Sequence, residues 1–218
     1  MSETSGGVDE AGRGCIAGPL VVAGVCADES AVLELGEIGV KDSKLLSPAQ
    51  REVLYPEVLR ICRRVESARI QPSEIDSVVR AAKKYRRLNF LEARYMAEVI
   101  DRLDAAEVFV DSCDVDPSRF QDTVSKQLRR ECRILASHHA DREKVVVSAA
   151  SVVAKVERDN EVRKLRERYG DFGSGYPSDP KTRVFFIEWL RREETLPSFV
   201  RTSWRTWDAL QQSVLFPL

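Results

Sequence analysis

The chain lacks the features that mark several large classes of protein. Its 34 basic and 35 acidic residues leave a formal net charge of −1. No overall positive field therefore attracts nucleic acid, although a local basic groove is compatible with this balance. No apolar run approaches the roughly 20 residues that span a bilayer, and no charged-then-apolar leader begins the chain. We therefore expect no association with a membrane.

Cysteine is sparse and dispersed. The five cysteines are Cys15, Cys26, Cys62, Cys113 and Cys132, an odd number without a CxxC pair. This spacing disfavours a zinc site or a disulfide framework. Reduced thiols are typical of intracellular proteins, so we expect a cytoplasmic location.

Repeats and low-complexity linkers are also missing. With 218 residues, 43% of them hydrophobic and 32% charged, the composition is ordinary for a globular protein. This length supports one sizeable core and does not require two domains. We expect one domain over residues 1–218.

Predicted strands and helices are intermixed along the chain. Alternation and apolar runs predict strands at GGVDEAG, PLVVAGVC, VESARI, AEVFVD and CRILASHHAD. Helical spacing and capping signals predict a helix from Ser47 to about Cys62, and further helices at RRLNFLEARYMAEVIDRL, VVSAASVVAKVERDNEVRKLRERYG and TRVFFIEWLRRE. Strands cluster first and then alternate with helices, which predicts an α/β fold with a mixed sheet covered by helices.

Acidic residues occupy unusual positions in this pattern. Asp9 and Glu10 are adjacent in an apolar strand, where two buried anions repel each other unless something positive pairs with them. Asp111 ends the AEVFVD strand, and Asp141 ends the predicted HHAD strand. Ligands gather at strand ends in α/β sheets, so these acids can converge on hard cations such as Mg²⁺ or Mn²⁺. Taken singly, Asp111 or Asp141 is better explained as a solvated turn residue.

The geometry of a strand limits how Asp9 and Glu10 act together. Neighbours on a regular strand point to opposite faces of the sheet. For both carboxylates to reach one metal cluster we expect a kink in the backbone, which Gly12 and Gly14 allow.

Five segments together resemble type 2 ribonuclease H, also called ribonuclease HII. They are DEAGRG, KDSKLLS, VDSCDVD, HHADREKVVVSAASVVAKVERD and GSGYPSDPKT, in the order and approximate spacing of the family over residues 7 to 207. The VDSCDVD and HHAD blocks and the SWRTW stretch are most similar to archaeal members. Cys15 is a departure, because many relatives have proline there.

The resemblance implies a fold and an activity. The fold is ribonuclease H-like, with a five-stranded mixed sheet flanked by helices and a helical carboxy-terminal region from about residue 177. The activity is that of an endoribonuclease in DNA replication and repair. It cleaves the RNA strand of RNA–DNA hybrids and single ribonucleotides embedded in duplex DNA. The implied cofactors are two Mg²⁺ or Mn²⁺ ions, and the products carry 5′-phosphate and 3′-hydroxyl ends.

The same resemblance assigns roles to particular residues. The four catalytic, metal-binding carboxylates are Asp9, Glu10, Asp111 and Asp141. The loop of Gly12, Arg13 and Gly14 reads the ribose, and glycines there permit close approach to a 2′-hydroxyl. Tyr176 stacks on the sugar beside the ribonucleotide. From the residues alone, the loop is also explained as an ordinary tight turn. Tyr176 is equally explained as a residue that anchors its loop.

Basic residues near these motifs have two interpretations. We expect Lys44 to contact phosphate, whereas the basic residues of KKYRRLN are explained by a solvated surface. Ser148, Ser151 and Lys155 share one helical face after Asp141, either as a ridge facing phosphate or as a site of tight packing. We interpret both serines as packing residues.

The apolar end of the chain, residues 211–218, also has two interpretations. Val214, Leu215 and Phe216 are explained by burial in the core. Alternatively, Gln211 or Gln212 with these residues resembles, in degenerate form, the peptides that dock on the DNA sliding clamp.

Two rival functions stay open at this point. A different nuclease of the same superfamily has clustered acids without the ribose-reading loop and tyrosine. A non-catalytic nucleic-acid-binding module has no need for four acids.

Overall fold

The structure, a computed structural model, describes residues 4–40, 46–81, 84–192 and 195–215. Its strands are β1 (Thr4–Ala11), β2 (Leu20–Asp28), β3 (Arg64–Ile70), β4 (Glu107–Asp111) and β5 (Arg133–Ser137). The helices in these ranges are α1 (Glu29–Glu37), α2 (Pro48–Ile61), α3 (Pro72–Arg80), α4 (Lys84–Leu103), α5 (Pro117–Ser125), α6 (Ala140–Glu143), α7 (Val145–Tyr169), α8 (Pro180–Arg191) and α9 (Arg205–Leu215).

The five strands form one mixed sheet in the order β3-β2-β1-β4-β5. Strands β1, β2 and β3 pair antiparallel, whereas β1, β4 and β5 pair parallel. The mixed sheet flanked by helices confirms the predicted fold class. Its parallel half brings the carboxyl ends of β1, β4 and β5 to one edge, where α/β folds place their ligands.

The two faces of the sheet carry separate apolar cores. In β2, Leu20 and Val22 point toward the face covered by α4, and Ala23 and Val25 point toward the face covered by α7. Helix α7 lies so close to β1 that a Cβ on Gly7 would come within 2.3 Å of the backbone of Val146. Residue 7 is therefore glycine because a helix backbone occupies the space of a side chain.

Local sequence signals set the ends of two helices as predicted. Ser47 caps α2, its hydroxyl accepting from Gln50 N while the Gln50 side chain accepts from Ser47 N. Gly170, with φ of 99°, ends α7. Helix α7 thus runs for 25 residues from the acidic edge of the sheet to the carboxy-terminal region.

The carboxy-terminal helices α8 and α9 pack around a third apolar cluster, which includes Phe172, Phe186, Phe199 and Trp207. The apolar end of the chain begins within a helix, because α9 continues through Leu215. Residues 216–218 lie outside the described ranges.

The predicted strand CRILASHHAD is too long. Strand β5 ends at Ser137, and the chain then turns at His139, whose φ is 58°. Asp141 therefore lies on the short helix α6 and not at a strand end. The positive φ breaks the extended conformation that the apolar sequence favours.

In the part of the chain that the structure describes, no helix combines the length and apolar character needed to cross a membrane.

Candidate active site

Three of the four predicted acids converge at the carboxyl edge of the sheet. Oxygens of Asp9, Asp111 and Asp141 all lie within 4.8 Å of one another. Strand register explains the first pair, because β1 and β4 run parallel with Val8 opposite Val110, which sets Asp9 beside Asp111. Acids separated by about a hundred residues in sequence thus meet through strand pairing.

Helix α6 brings the third carboxylate to this edge. The backbone N–H of Ala140 donates to Oδ1 of Asp111 at 3.0 Å, and the Ser148 hydroxyl donates to the carbonyl of Asp141. Asp141 is 1% exposed. A helical turn tied to β4 and to α7 therefore delivers the buried acid.

The Asp9 carboxyl lies in an unfavourable electrostatic environment. Burial, and then the charge of Asp111, raise the pKa of Asp9 from 3.8 to about 7. A hydrogen bond from Ser151, the Glu10 N–H at 2.7 Å and the charge of Lys155 oppose this rise. The donors and the lysine around Asp9 therefore do not offset the effect of burial and of Asp111 on its carboxyl.

Glu10 follows Asp9 on β1 but is not among the acids whose oxygens cluster, although the charges of Asp9 and Asp111 act on it. It pairs with Val22 in a ladder that continues through Ala11, so the expected kink is absent from β1. The pKa of Glu10 is raised well above its usual range by burial, by Asp9 and by Glu92. Its buried Oε2 has no hydrogen-bond partner among the described residues.

These acids fit a hard divalent cation. The donors are all carboxylate oxygens, the set that Mg²⁺ and Mn²⁺ prefer. The raised pKa of Asp9 and the unsatisfied oxygen of Glu10 are what buried ligands show when their counter-charge is missing. Two of the three clustered acids are buried, which favours a bound ion over solvated turn residues.

The predicted ribose loop begins where β1 ends. Gly12 has a φ of 88°, which favours glycine, and turns the chain out of the strand. The Arg13 side chain points inward: it donates to the carbonyl of Cys113 at 2.7 Å and to Asn89 Oδ1 at 2.6 Å. Gly14 is exposed, and a Cβ there would meet nothing within 4 Å. Arg13 therefore holds the loop, and Gly14 leaves it open to a ligand.

Glu92 of α4, a fully buried acid, forms an ion pair with Arg13. Its carboxylate lies 3.2 Å from Arg13 Nε and accepts from the Cys113 thiol at 3.1 Å. Sequence reasoning missed Glu92, although it lies between Leu88 and Met96 on the apolar face of α4. An acid on the buried face of an amphipathic helix was the available signal.

A cavity of about 530 Å³ adjoins this loop. Its walls include Arg13, Gly14, Asn89, Arg119 and Trp204. The cavity gives a large ligand access to the exposed Gly14.

Tyr176 lies next to the same loop, although it is 162 positions after Gly14 in the sequence. The Gly175 carbonyl accepts from the Ile16 N–H at 2.9 Å, which ties the two loops together. Burial and a hydrogen bond to Cys15 raise the pKa of Tyr176 to about 12. The structure thus places the predicted ribose loop and the predicted stacking residue together.

The remaining predicted residues divide into two groups. Lys44 lies outside the described residues. Ser148 and Ser151 are buried in α7, as expected of packing residues. Ser151 also hydrogen-bonds Asp9, a role that packing alone did not predict.

Comparison with known proteins agrees with this geometry. The family model "Ribonuclease HII" matches residues 6–207. Ribonuclease HII of Pyrococcus furiosus is 41% identical over 211 residues, covering 96% of this chain and 92% of the relative.

Two solved structures are similar along nearly their whole lengths. Ribonuclease H2 from Pyrococcus horikoshii has a TM-score of 0.87 at 39% identity, covering 97% of this chain and 99% of that one. The PCNA:RNase HII complex from Archaeoglobus fulgidus matches with a TM-score of 0.84 at 42% identity, covering 93% and 95%. The chain therefore belongs to the ribonuclease HII family of metal-dependent endoribonucleases, which act on the RNA of RNA–DNA hybrids.

Proposed function

We propose that this chain cuts the RNA strand of hybrids and also single ribonucleotides embedded in duplex DNA, leaving 5′-phosphate and 3′-hydroxyl ends. The observation that carries the proposal is the carboxylate cluster beside an open glycine loop. Oxygens of Asp9, Asp111 and Asp141 lie within 4.8 Å of one another, and β1 leads directly from Asp9 into Gly12–Gly14.

Asp9, Asp111 and Asp141 would hold two Mg²⁺ or Mn²⁺ ions, and Glu10, which is near enough for the charges of Asp9 and Asp111 to raise its pKa, would join them from beside the cluster. When bound, such ions lower the pKa of an attacking water and stabilise the leaving oxygen. Asp9 lies in the cluster with Asp111 and Asp141 and directly precedes Glu10 on β1, so we assign it the central position among the ligands. Ser151 and the Glu10 N–H orient its carboxylate for this role.

Recognition of the ribose falls to the two tied loops. The absence of a side chain at Gly14 lets backbone atoms approach a 2′-hydroxyl, the group that distinguishes RNA from DNA. The half-buried Tyr176 ring offers a face for a sugar at the same place. Lys44 is a proposed phosphate contact from the sequence alone, where it is a basic residue of a predicted loop.

A cleavage assay with three duplexes tests this function. The substrates are DNA with one embedded ribonucleotide, a uniform RNA–DNA hybrid and DNA alone, each with Mg²⁺ or Mn²⁺. We expect one mapped cut at the ribonucleotide, distributed cuts in the hybrid and none in DNA. Cutting of DNA alone would indicate a different nuclease of the superfamily, and no cutting with any metal would favour a binding module.

The stacking role of Tyr176 has its own test. Stacking of this kind contributes roughly 1–3 kcal/mol, and one ribonucleotide offers only one register in which to gain it. We expect Tyr176→Ala to impair cutting at a single ribonucleotide more than cutting of a long hybrid. Tyr176→Phe keeps the ring and serves as the matched control. Equal losses on both substrates would identify Tyr176 as a loop anchor.

The proposal also includes a protein partner and a cellular location. A structural neighbour is a PCNA:RNase HII complex, which supports a sliding clamp as a partner of this chain, and residues 211–218 are the proposed contact. The free cysteines suit the reducing cytoplasm. Residues 1–218 would act as one catalytic domain, with α8 and α9 as its helical region.

A further inference from the structure

Arg158 of α7 is a buried arginine that the proposed chemistry does not use. It is 3% exposed, and its Nη2 donates to the Ser174 carbonyl at 2.5 Å and to the Cys15 sulfur at 2.9 Å. Its Nη1 also lies 3.3 Å from Asp159. One guanidinium thus contacts the segment after Gly14 and the segment before Tyr176.

The same guanidinium lies against the ring of Tyr176. Its central carbon is 4.7 Å from the ring centroid, a cation–π distance. The Tyr176 hydroxyl hydrogen-bonds the Cys15 sulfur, which itself accepts from Arg158. The ring is therefore held on one face by Arg158 and at its tip by Cys15.

Two glycines leave the space that this arginine fills. A Cβ on Gly12 would lie 3.2 Å from Arg158 Nε, and one on Gly175 would lie 3.2 Å from its Nη2. Both distances are tighter than ordinary van der Waals contact. Gly12 and Gly175 also have positive φ, at 88° and 78°. The guanidinium is thus fitted between the ribose loop and the Tyr176 loop.

We propose that Arg158 and Cys15 are positioning residues that fix the Tyr176 ring against the ribose loop and so set the selectivity for a single ribonucleotide. This rests on the proposed role of Tyr176. Arg158 uses its planar fork to reach Ser174, Cys15 and the ring together, which a lysine cannot do. Cys15 supplies the acceptor that both the guanidinium and the phenol use.

The experiment measures kcat/KM on the embedded-ribonucleotide duplex and on the uniform hybrid. Their ratio is the selectivity, and melting temperature reports folding. Arg158→Met should lower the ratio about tenfold, and Arg158→Lys should lower it less. Cys15→Ala, which removes only the sulfur, should lower it two- to threefold. Arg163→Met, an exposed arginine of α7 paired with Glu52, is the matched control and should leave the ratio unchanged.

A double variant separates positioning from general stability. Residues that act through one group are non-additive, so Arg158→Met combined with Tyr176→Ala should have the selectivity of Tyr176→Ala alone. Additive losses overturn the proposal. If Arg158→Met does not fold, Arg158→Lys and Cys15→Ala decide, and wild-type ratios in both overturn it.

The two proposals fail in different ways. If Tyr176→Ala keeps the wild-type ratio, the stacking role is wrong and nothing remains for Arg158 to position. If Tyr176→Ala lowers the ratio while Arg158→Lys and Cys15→Ala do not, the stacking role stands and the positioning role is overturned.

Discussion

Two groups of buried charge lie side by side in this molecule and are satisfied to very different degrees. In the carboxylate cluster, burial and the charge of Asp111 raise the pKa of Asp9 to about 7. The other buried charge is the guanidinium of Arg201, which is fully buried. Its Nε and Nη2 donate to the Gly18 carbonyl at 3.0 and 2.8 Å, and its Nη1 donates to the Arg13 carbonyl at 3.0 Å.

The difference separates a binding site from its framework. Burial lowers the pKa of Arg201 to about 10, so the side chain stays protonated at neutral pH, and its hydrogen bonds go to loop carbonyls. The acids have like charges as neighbours and are complete only when a cation binds. A buried charge that is satisfied by the protein's own groups holds structure, whereas the Asp9 carboxyl, on which burial and the charge of Asp111 outweigh its hydrogen bonds and Lys155, indicates a cation site.

The largest expected effect is the loss of cleavage when Asp9 of the carboxylate cluster is replaced. Asp9→Asn keeps size and hydrogen bonding but removes a charge that the cations need. We expect cleavage to fall by roughly a thousandfold or more, the scale of losing metal-ion stabilisation of the transition state. The measurement is single-turnover cleavage of the embedded-ribonucleotide duplex at saturating Mg²⁺.

The control for this variant is Asp122→Asn, an exposed acid of α5 that should cleave normally. Near-normal cleavage by Asp9→Asn at saturating metal would contradict the assignment of Asp9 as a ligand.

Replacing Arg201 should lower the stability of the folded protein. Arg201→Met leaves the carbonyls of Gly18 and Arg13 without their buried donors, at a cost of roughly 2–4 kcal/mol. In a chain of this size that lowers the melting temperature by roughly 5–15 °C. Thermal denaturation measures it, with the exposed Arg183→Met as the control. An unchanged melting temperature would show that Arg201 does not hold the loop.

A smaller effect is the pH dependence of the metal-free protein. The folded Asp9 carboxyl has a pKa of about 7, against 3.8 for its ordinary value. Between these pH values the folded state keeps a proton that the unfolded state has lost. The free energy of unfolding therefore falls as pH rises, and the full loss is reached above about pH 7. The melting temperature of Asp9→Asn minus wild type should therefore rise by a few degrees from pH 5 to pH 8.

Adding Mg²⁺ at pH 8 should close this gap by stabilising wild type more than Asp9→Asn. A gap that ignores both pH and metal would mean that carboxylate repulsion is not its cause.

Sequence patterns predicted the elements that are periodic and the acids that break a pattern. The spacing of Leu88, Leu91, Tyr95, Val99 and Leu103 predicted α4, and all of them are buried except Tyr95, which is partly buried against the same core. Asp9 was conspicuous because an acid interrupted an apolar strand. These signals are local, so one sequence suffices to find them.

Other features depend on contacts that no local pattern encodes. The turn at His139 that moves Asp141 onto α6 follows an apolar run that reads as strand. Arg201 reaches the ribose loop from 188 residues away. Arg158 and Glu92 had a weak signal, a charge on the buried face of a helix, but their partners lie on other elements.

The smallest expected effect on stability concerns the end of the chain. Gln211 and Gln212 are exposed on the last turns of α9, and the apolar anchors of that helix, Trp207 and Leu210, precede them. Removing residues 211–218 should therefore leave cleavage unchanged and lower the melting temperature by no more than about 2 °C, since the buried anchors remain. It should abolish binding to a purified sliding clamp, measured by calorimetry against the full chain. A marked drop in melting temperature would instead assign these residues to the core.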